Sequence, residues 1–136
     1  MVKRYADMSL AYAVIAMISG IFYREFTKFS HFSGKTSLSL LHTHYFLLGM
    51  VFFLLLMLAE KSLSFSGQNT GKVLIAYQAG LHITAAGFLM RGLVQIQGIT
   101  PAKALDASIS GIAGTGHILT GVCMILLLLK IRRRAG

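Results

Sequence analysis

The chain has 136 residues, of which 55% are hydrophobic and 12% charged, a balance that excludes an ordinary water-soluble domain and fits a single membrane domain over residues 1–136. A net charge of +9 does not point to nucleic acid, because every Lys and Arg except Arg91 lies at a chain end or in a short connection. The lone Cys123 excludes both a disulfide framework and a cysteine-based metal motif.

Lipid offers no partner to an open backbone, so a crossing needs about 20 largely apolar residues in a helix. Four segments qualify, at about 6–24, 37–59, 73–97 and 106–129, and predict an all-α integral membrane four-helix bundle. The first follows Met1-Val2-Lys3-Arg4 and resembles a leader. Asp7 and Tyr12 interrupt its apolar run and no small-residue cleavage site follows Gly20, so it reads as a retained helix. The connection after it carries His31, read as an exposed loop histidine.

The second span opens with His42 and His44 and then has no polar side chain from Phe46 to Leu58. The third carries Gln78, His82 and Arg91, and the fourth Ser110, Thr115 and His117. Facing lipid unpaired, such groups cost several kcal/mol each, so the third and fourth helices are expected to look inward and the first two to supply lipid-facing surface. Cys123 reads as a small core residue. Beside one set of span ends stand Lys3, Arg4, Lys61, Lys72, Lys130, Arg132, Arg133 and Arg134, against Arg24, Lys28, Lys35 and Lys103 at the other. Eight against four puts both termini in the cytoplasm of a bacterium, with the chain multi-pass in its inner membrane.

Ionisable residues inside a membrane are candidate functional groups, and here they are His42, His44, His82, Arg91 and His117. At ~1.5 Å per residue above the Lys61, Lys72 and Lys130 level, His82 lies near ~15 Å, His117 near ~20 Å, His44 near ~25 Å, and His42 and Arg91 near ~28 Å. That band suits an upright haem with iron between two histidines and Arg91 as counter-ion to its propionates. The haem is of b type, since no Cys-x-x-Cys-His occurs.

His117 is the favoured ligand, with His82 or His44 opposite. Small neighbours let a macrocycle approach: Ser110, Gly114, Gly121 and Met124 share the His117 face, and Ala79, Ala85 and Ala86 flank His82. Gln78, one turn before His82, is placed to orient its ring. Gly111, Gly114 and Gly121 would equally serve close helix packing. At 100° per residue His42 and His44 point about 200° apart and are expected to serve two sites.

The run His42-x-His44-Tyr45-x-Leu47-x-Gly49 resembles the tenth helix of the catalytic subunit of haem-copper oxidases over about a dozen residues. There a His-x-His pair serves two haems, and arginines following the next helix hold the propionates. That subunit is built of three four-helix arcs, so the resemblance implies one arc and a homo-oligomer, a trimer for instance, with His42 or His44 at an interface. His82 and His117 have no counterparts in it, and its copper-ligand set is missing. More broadly, Tyr23-Arg24-Glu25-Phe26 and His42-Thr43-His44 make the chain similar to a group of short, uncharacterised four-helix bacterial membrane proteins.

Three functions are therefore open. The first is a haem protein for electron transfer, redox sensing or O₂/NO binding, working with a redox partner. The second is a handler of copper or another metal ion, using the imidazoles with Met50, Met57, Met90 and Met124. The third is a small transporter or channel subunit with Tyr12, Tyr23, Glu25 and the histidines along a polar path. Whether the chain is an enzyme is left open.

Overall fold

Internal backbone bonding, which lipid makes obligatory, organises the chain into four helices long and apolar enough to cross a membrane. In the computed structural model, which describes residues 1–136, these are α1 (Val2–Phe29), α2 (Ser37–Leu63), α3 (Thr70–Ile96) and α4 (Lys103–Ala135). The expected spans agree with them within a few residues at most ends. The helices run further because their backbone ladders continue into the Lys- and Arg-bearing turns beyond the apolar stretches.

Stops are local. The residue after α2, Ser64, takes the left-handed conformation (φ 46°, ψ 49°), and Thr36 accepts a hydrogen bond from the Leu38 amide at 3.3 Å to start α2. At the end that holds both termini, Tyr5 and Ser66 pair at 2.7 Å, the Ser66 amide donates to Glu60, and Lys130 donates to Thr70.

α1 packs on α2, α2 on α3, and α3 on α4, with α3 and α4 in closest association. Three glycines, Gly80, Gly87 and Gly116, make that closeness possible. A Cβ on Gly80 would meet Thr120 Oγ1 at 2.6 Å, and one on Gly116 would meet the Thr84 amide at 2.5 Å, so the two backbones touch. The core is aromatic where α1, α2 and α3 meet, with Tyr5, Tyr12, Phe53 and Tyr77 all buried.

The expectation that both later helices look inward holds for α3 alone. α3 buries ten residues and α4 five, because α4 meets the bundle along one stripe, Ile109, Gly116, Thr120, Cys123 and Leu127. A stripe of this spacing is one face of a helix at the edge of a bundle. Cys123 lies in it as a small buried residue.

Candidate functional site

The site is organised by an irregularity in α2. After an α-helical Leu40–His44 the backbone widens to a π-helix over Tyr45–Val51, then returns to α at Phe52. Within the widened segment, the Leu48 carbonyl accepts from the Tyr77 hydroxyl at 2.6 Å and the Met50 carbonyl from the Ser9 hydroxyl at 2.9 Å. Neighbouring helices thus supply donors that lipid cannot. Between these carbonyls Gly49 lies flat against Tyr12, whose Cγ would stand 2.6 Å from any added Cβ.

On the α1 side, Tyr45 reaches His82: its hydroxyl is 3.0 Å from Nδ1, and that of Tyr12 is 3.5 Å from Nε2. Both ring nitrogens of His82 are thereby engaged. Gln78 makes no hydrogen bond to the imidazole; its Oε1 accepts from Tyr12 at 3.4 Å, and its amide donates to the Leu74 carbonyl. The group borders a cleft of about 420 Å³ lined by Ile15, Ile18, Phe22, Ala85, Ala86 and Leu89 beside His82 and Tyr45. Ala85 and Ala86 flank His82 as expected, whereas Ala79 does not line this cleft.

On the other side, His44 faces α4. Its ring centre is 5.6 Å from that of His117, with the planes at 87°, and Phe88 stands edge-on to both at 4.6 and 5.5 Å. The Nδ1 atoms of His44 and His117 lie 3.0 and 2.9 Å from the carbonyl oxygens of Leu40 and Ala113, one turn earlier in each helix. An Nδ1–H donated to a carbonyl fixes the tautomer and leaves Nε2 as the ligating atom. His117 is exposed, and nothing lies within 4 Å of where a Cβ on Gly114 or Gly121 would be. Gly111 is equally open. These three glycines therefore take no part in close packing within the chain; on α4, Gly116 does.

Arg91, one turn after Phe88, lines a cavity of about 160 Å³ with Phe88, Ser110 and Ala113. Its guanidinium pairs with the Asp106 carboxylate and donates to the Asp106 carbonyl at 3.2 Å and to Ser110 Oγ at 2.6 Å. Asp106 sits in the first turn of α4, where the helix dipole favours a carboxylate. Glu25 is 3.9 Å from Arg24 and so belongs to that arginine.

His42 points away from His44, toward α1, as their angular separation requires. It lines a cavity of about 220 Å³ with Gly20, Arg24 and Phe46, and its Nδ1 is buried without a hydrogen-bond partner. His31 is exposed at a backbone φ of 50° in the first connection.

Of the candidate ligands, then, the fold brings together His44 and His117, and keeps His82 with two tyrosines and His42 with α1. No group of three or more His, Cys, Asp or Glu side chains converges at one point. Phe88, Asp106 and the roles of Tyr12 and Tyr45 escaped sequence reasoning. Asp106 carries a readable signal: it is the one acid at the start of the fourth span, a short connection away from the one arginine inside the third.

No curated protein and no solved structure matches the chain. The profile of the family described as protein of unknown function (DUF2871) matches residues 2–134, and with nearly its whole length covered the chain belongs to that family.

Proposed function

We propose that the chain is a multi-pass protein of the bacterial inner membrane, both termini cytoplasmic, that binds one b-type haem between His44 and His117 and uses it for electron transfer. The observation that carries this reading is the 5.6 Å spacing of two imidazoles that both direct Nδ1 to a carbonyl. Two rings each ligating one ion through nitrogen at about 2 Å have centres about 6 Å apart. Two histidine ligands leave no open position and so favour electron transfer over gas binding.

The surroundings support a macrocycle. Gly114 and Gly121 leave α4 bare on either side of His117, and Arg91, one turn beyond Phe88, would be the counter-ion for propionates directed away from the termini. Asp106 would share that arginine with them. Phe88 fills one side of the space between the imidazoles, so haem binding turns its ring to the porphyrin edge. The open flank of α4 is also where a second copy of the chain would seat in a homo-oligomer.

The test is the absorption spectrum of detergent-purified protein from haem-sufficient cells. A Soret band, with α and β bands after reduction, is expected. A colourless preparation that stays so after haem addition overturns the proposal. Copper at one ion per two histidines, found by elemental analysis of that preparation, would put the metal-handling reading in its place.

A further inference from the structure

The end of the bundle opposite the termini carries a polar cavity that involves none of the histidines. It has about 520 Å³ and lies between Tyr23 near the end of α1, Lys35 and Thr36 in the first connection, Ser37 at the start of α2, and Gln95 near the end of α3. Its frame is fixed by hydrogen bonds. Thr36 is buried, donates its hydroxyl to the Gly92 carbonyl at 3.2 Å and accepts from the Leu38 amide, which docks the connection on α3. The Ser37 amide donates to Gln95 Oε1 at 2.7 Å. An N–H pairs only with the oxygen of that side chain, so the Gln95 NH₂ group is left as a donor.

The free polar groups around this cavity are all donors. Lys35 Nζ, the Tyr23 and Ser37 hydroxyls and the Gln95 NH₂ group have no partner within the chain, no carboxylate lines the cavity, and Lys35 pairs with no acid. Four donors and one full positive charge select an anion with several acceptor oxygens. A carboxylate offers two, a phosphate ester three beside its bridging oxygen. A volume of about 520 Å³ lies within the ordinary range for small-molecule sites and exceeds what a bare phosphate fills, so the alcohol that carries the phosphate enters as well. We infer that this cavity binds a phosphate ester, its phosphate held by Lys35 and Tyr23 with Ser37 and Gln95 beside them.

Two sources present that group, a soluble ester such as a glycerol phosphate and the headgroup of a phospholipid. Tyr23 and Leu40 are the only largely apolar walls, too few to hold an acyl chain, so a lipid would enter by its headgroup with the chains outside. Ser37 also lines the smaller cavity beside Arg91, but Arg91 is taken by Asp106 and Ser110 and does not line the phosphate cavity. The inference stands on these residues and is independent of the haem reading.

The experiment uses detergent-purified full-length protein in two arms, with the parent, Lys35→Gln, Tyr23→Phe and Lys28→Gln. Lys35 is exposed, so its substitution leaves folding intact, which an unchanged melting temperature without ligand checks. Lys28 has the same charge, is exposed at the end of α1 and lies outside the cavity. The first arm is calorimetric titration with glycerol 3-phosphate. Saturable binding is expected, about tenfold weaker in Lys35→Gln, more modestly weakened in Tyr23→Phe and unchanged in Lys28→Gln.

The second arm is native mass spectrometry of the same proteins released from bilayers of phosphatidylcholine and phosphatidylglycerol. Phosphatidylglycerol retained by the parent and lost in Lys35→Gln, with no heat from glycerol 3-phosphate, identifies a lipid headgroup as the ester. The reverse identifies a soluble one. Binding in neither arm, or equal loss in Lys28→Gln and Lys35→Gln, overturns the inference. So does succinate that binds through Lys35 as tightly as glycerol 3-phosphate, since the site would then be one for carboxylates. A colourless preparation would fail the haem proposal and leave all of these outcomes readable.

Discussion

Two histidine clusters lie on opposite sides of α2, and they are built on different terms. His82 has both nitrogens met by tyrosines, Tyr45 at 3.0 Å and Tyr12 at 3.5 Å. His44 and His117 each direct one nitrogen to the carbonyl a turn earlier and leave the other without a partner. A closed hydrogen-bond set fixes a ring within its own helices. A half-closed set, doubled with ring centres 5.6 Å apart, leaves two nitrogens that the proposed iron would take up. The same residue type thus stands in two hydrogen-bonding environments, decided by which neighbours take up Nδ1 and Nε2.

Substitutions can break that contrast. The largest effect is expected from His117→Ala and His44→Ala, each of which should abolish or convert the Soret spectrum. His82→Leu should leave the absorbance in place, measured against protein concentration by pyridine haemochrome assay. Haem lost in His82→Leu and kept in His117→Ala would reverse the assignment. Next is Gly49→Ala, which forces Tyr12 off the π-segment. Overpacking of this kind costs about 1–3 kcal/mol, and should appear as a lowered melting temperature in detergent and a disturbed His82 cluster. An unchanged melting temperature would show that the Tyr12 contact is slack.

Charge changes near Arg91 are expected to be smaller but of opposite sign. Asp106→Asn leaves the guanidinium uncompensated, favours the less positive ferrous state and raises the haem midpoint potential, whereas Arg91→Gln lowers it. Potentiometric titration checks both directions, and two shifts of the same sign would place the haem away from Arg91. The smallest effect sharpens the comparison of glycines. Gly114→Ala meets open space and should alter stability by no more than about 0.5 kcal/mol. Gly116→Ala meets the Thr84 amide and should separate α3 from α4. Equal melting temperatures for these two variants would contradict the close seam.

The four helices were legible because lipid imposes a length and composition that little else mimics. Their inward and outward faces were less so. α4 carries His117, Ser110 and several glycines, yet of those glycines Gly116 alone packs closely on α3, and glycine content does not say which glycine faces a neighbour. The four histidines of the apolar helices could be picked out from the sequence. Their pairing could not, because it depends on the π-segment after His44 and on two tyrosines from different helices. Heights along the membrane separated His82, His117 and His44 by less than two turns, too little to choose. Arg91 reads as a counter-ion to propionates; the partner the structure shows, Asp106, fell at the edge of the expected span, where an acid reads as a boundary.

The contact of α3 and α4 through Gly80 and Gly116 also fixes a register. A slip of one residue would bring a side chain to a point where two backbones leave no room, so His117 cannot drift along the membrane normal relative to Phe88 and Arg91. α2 meets α3 as closely at Leu38 and Gly92, near its first turn, where a Cβ on Gly92 would stand 2.7 Å from the Leu38 amide. His44 lies beyond that contact, toward the π-segment. Contacts on both sides of His44, at Leu38 and in the Tyr45–Met50 segment, therefore set its height against α3, and the α3–α4 seam sets that of His117.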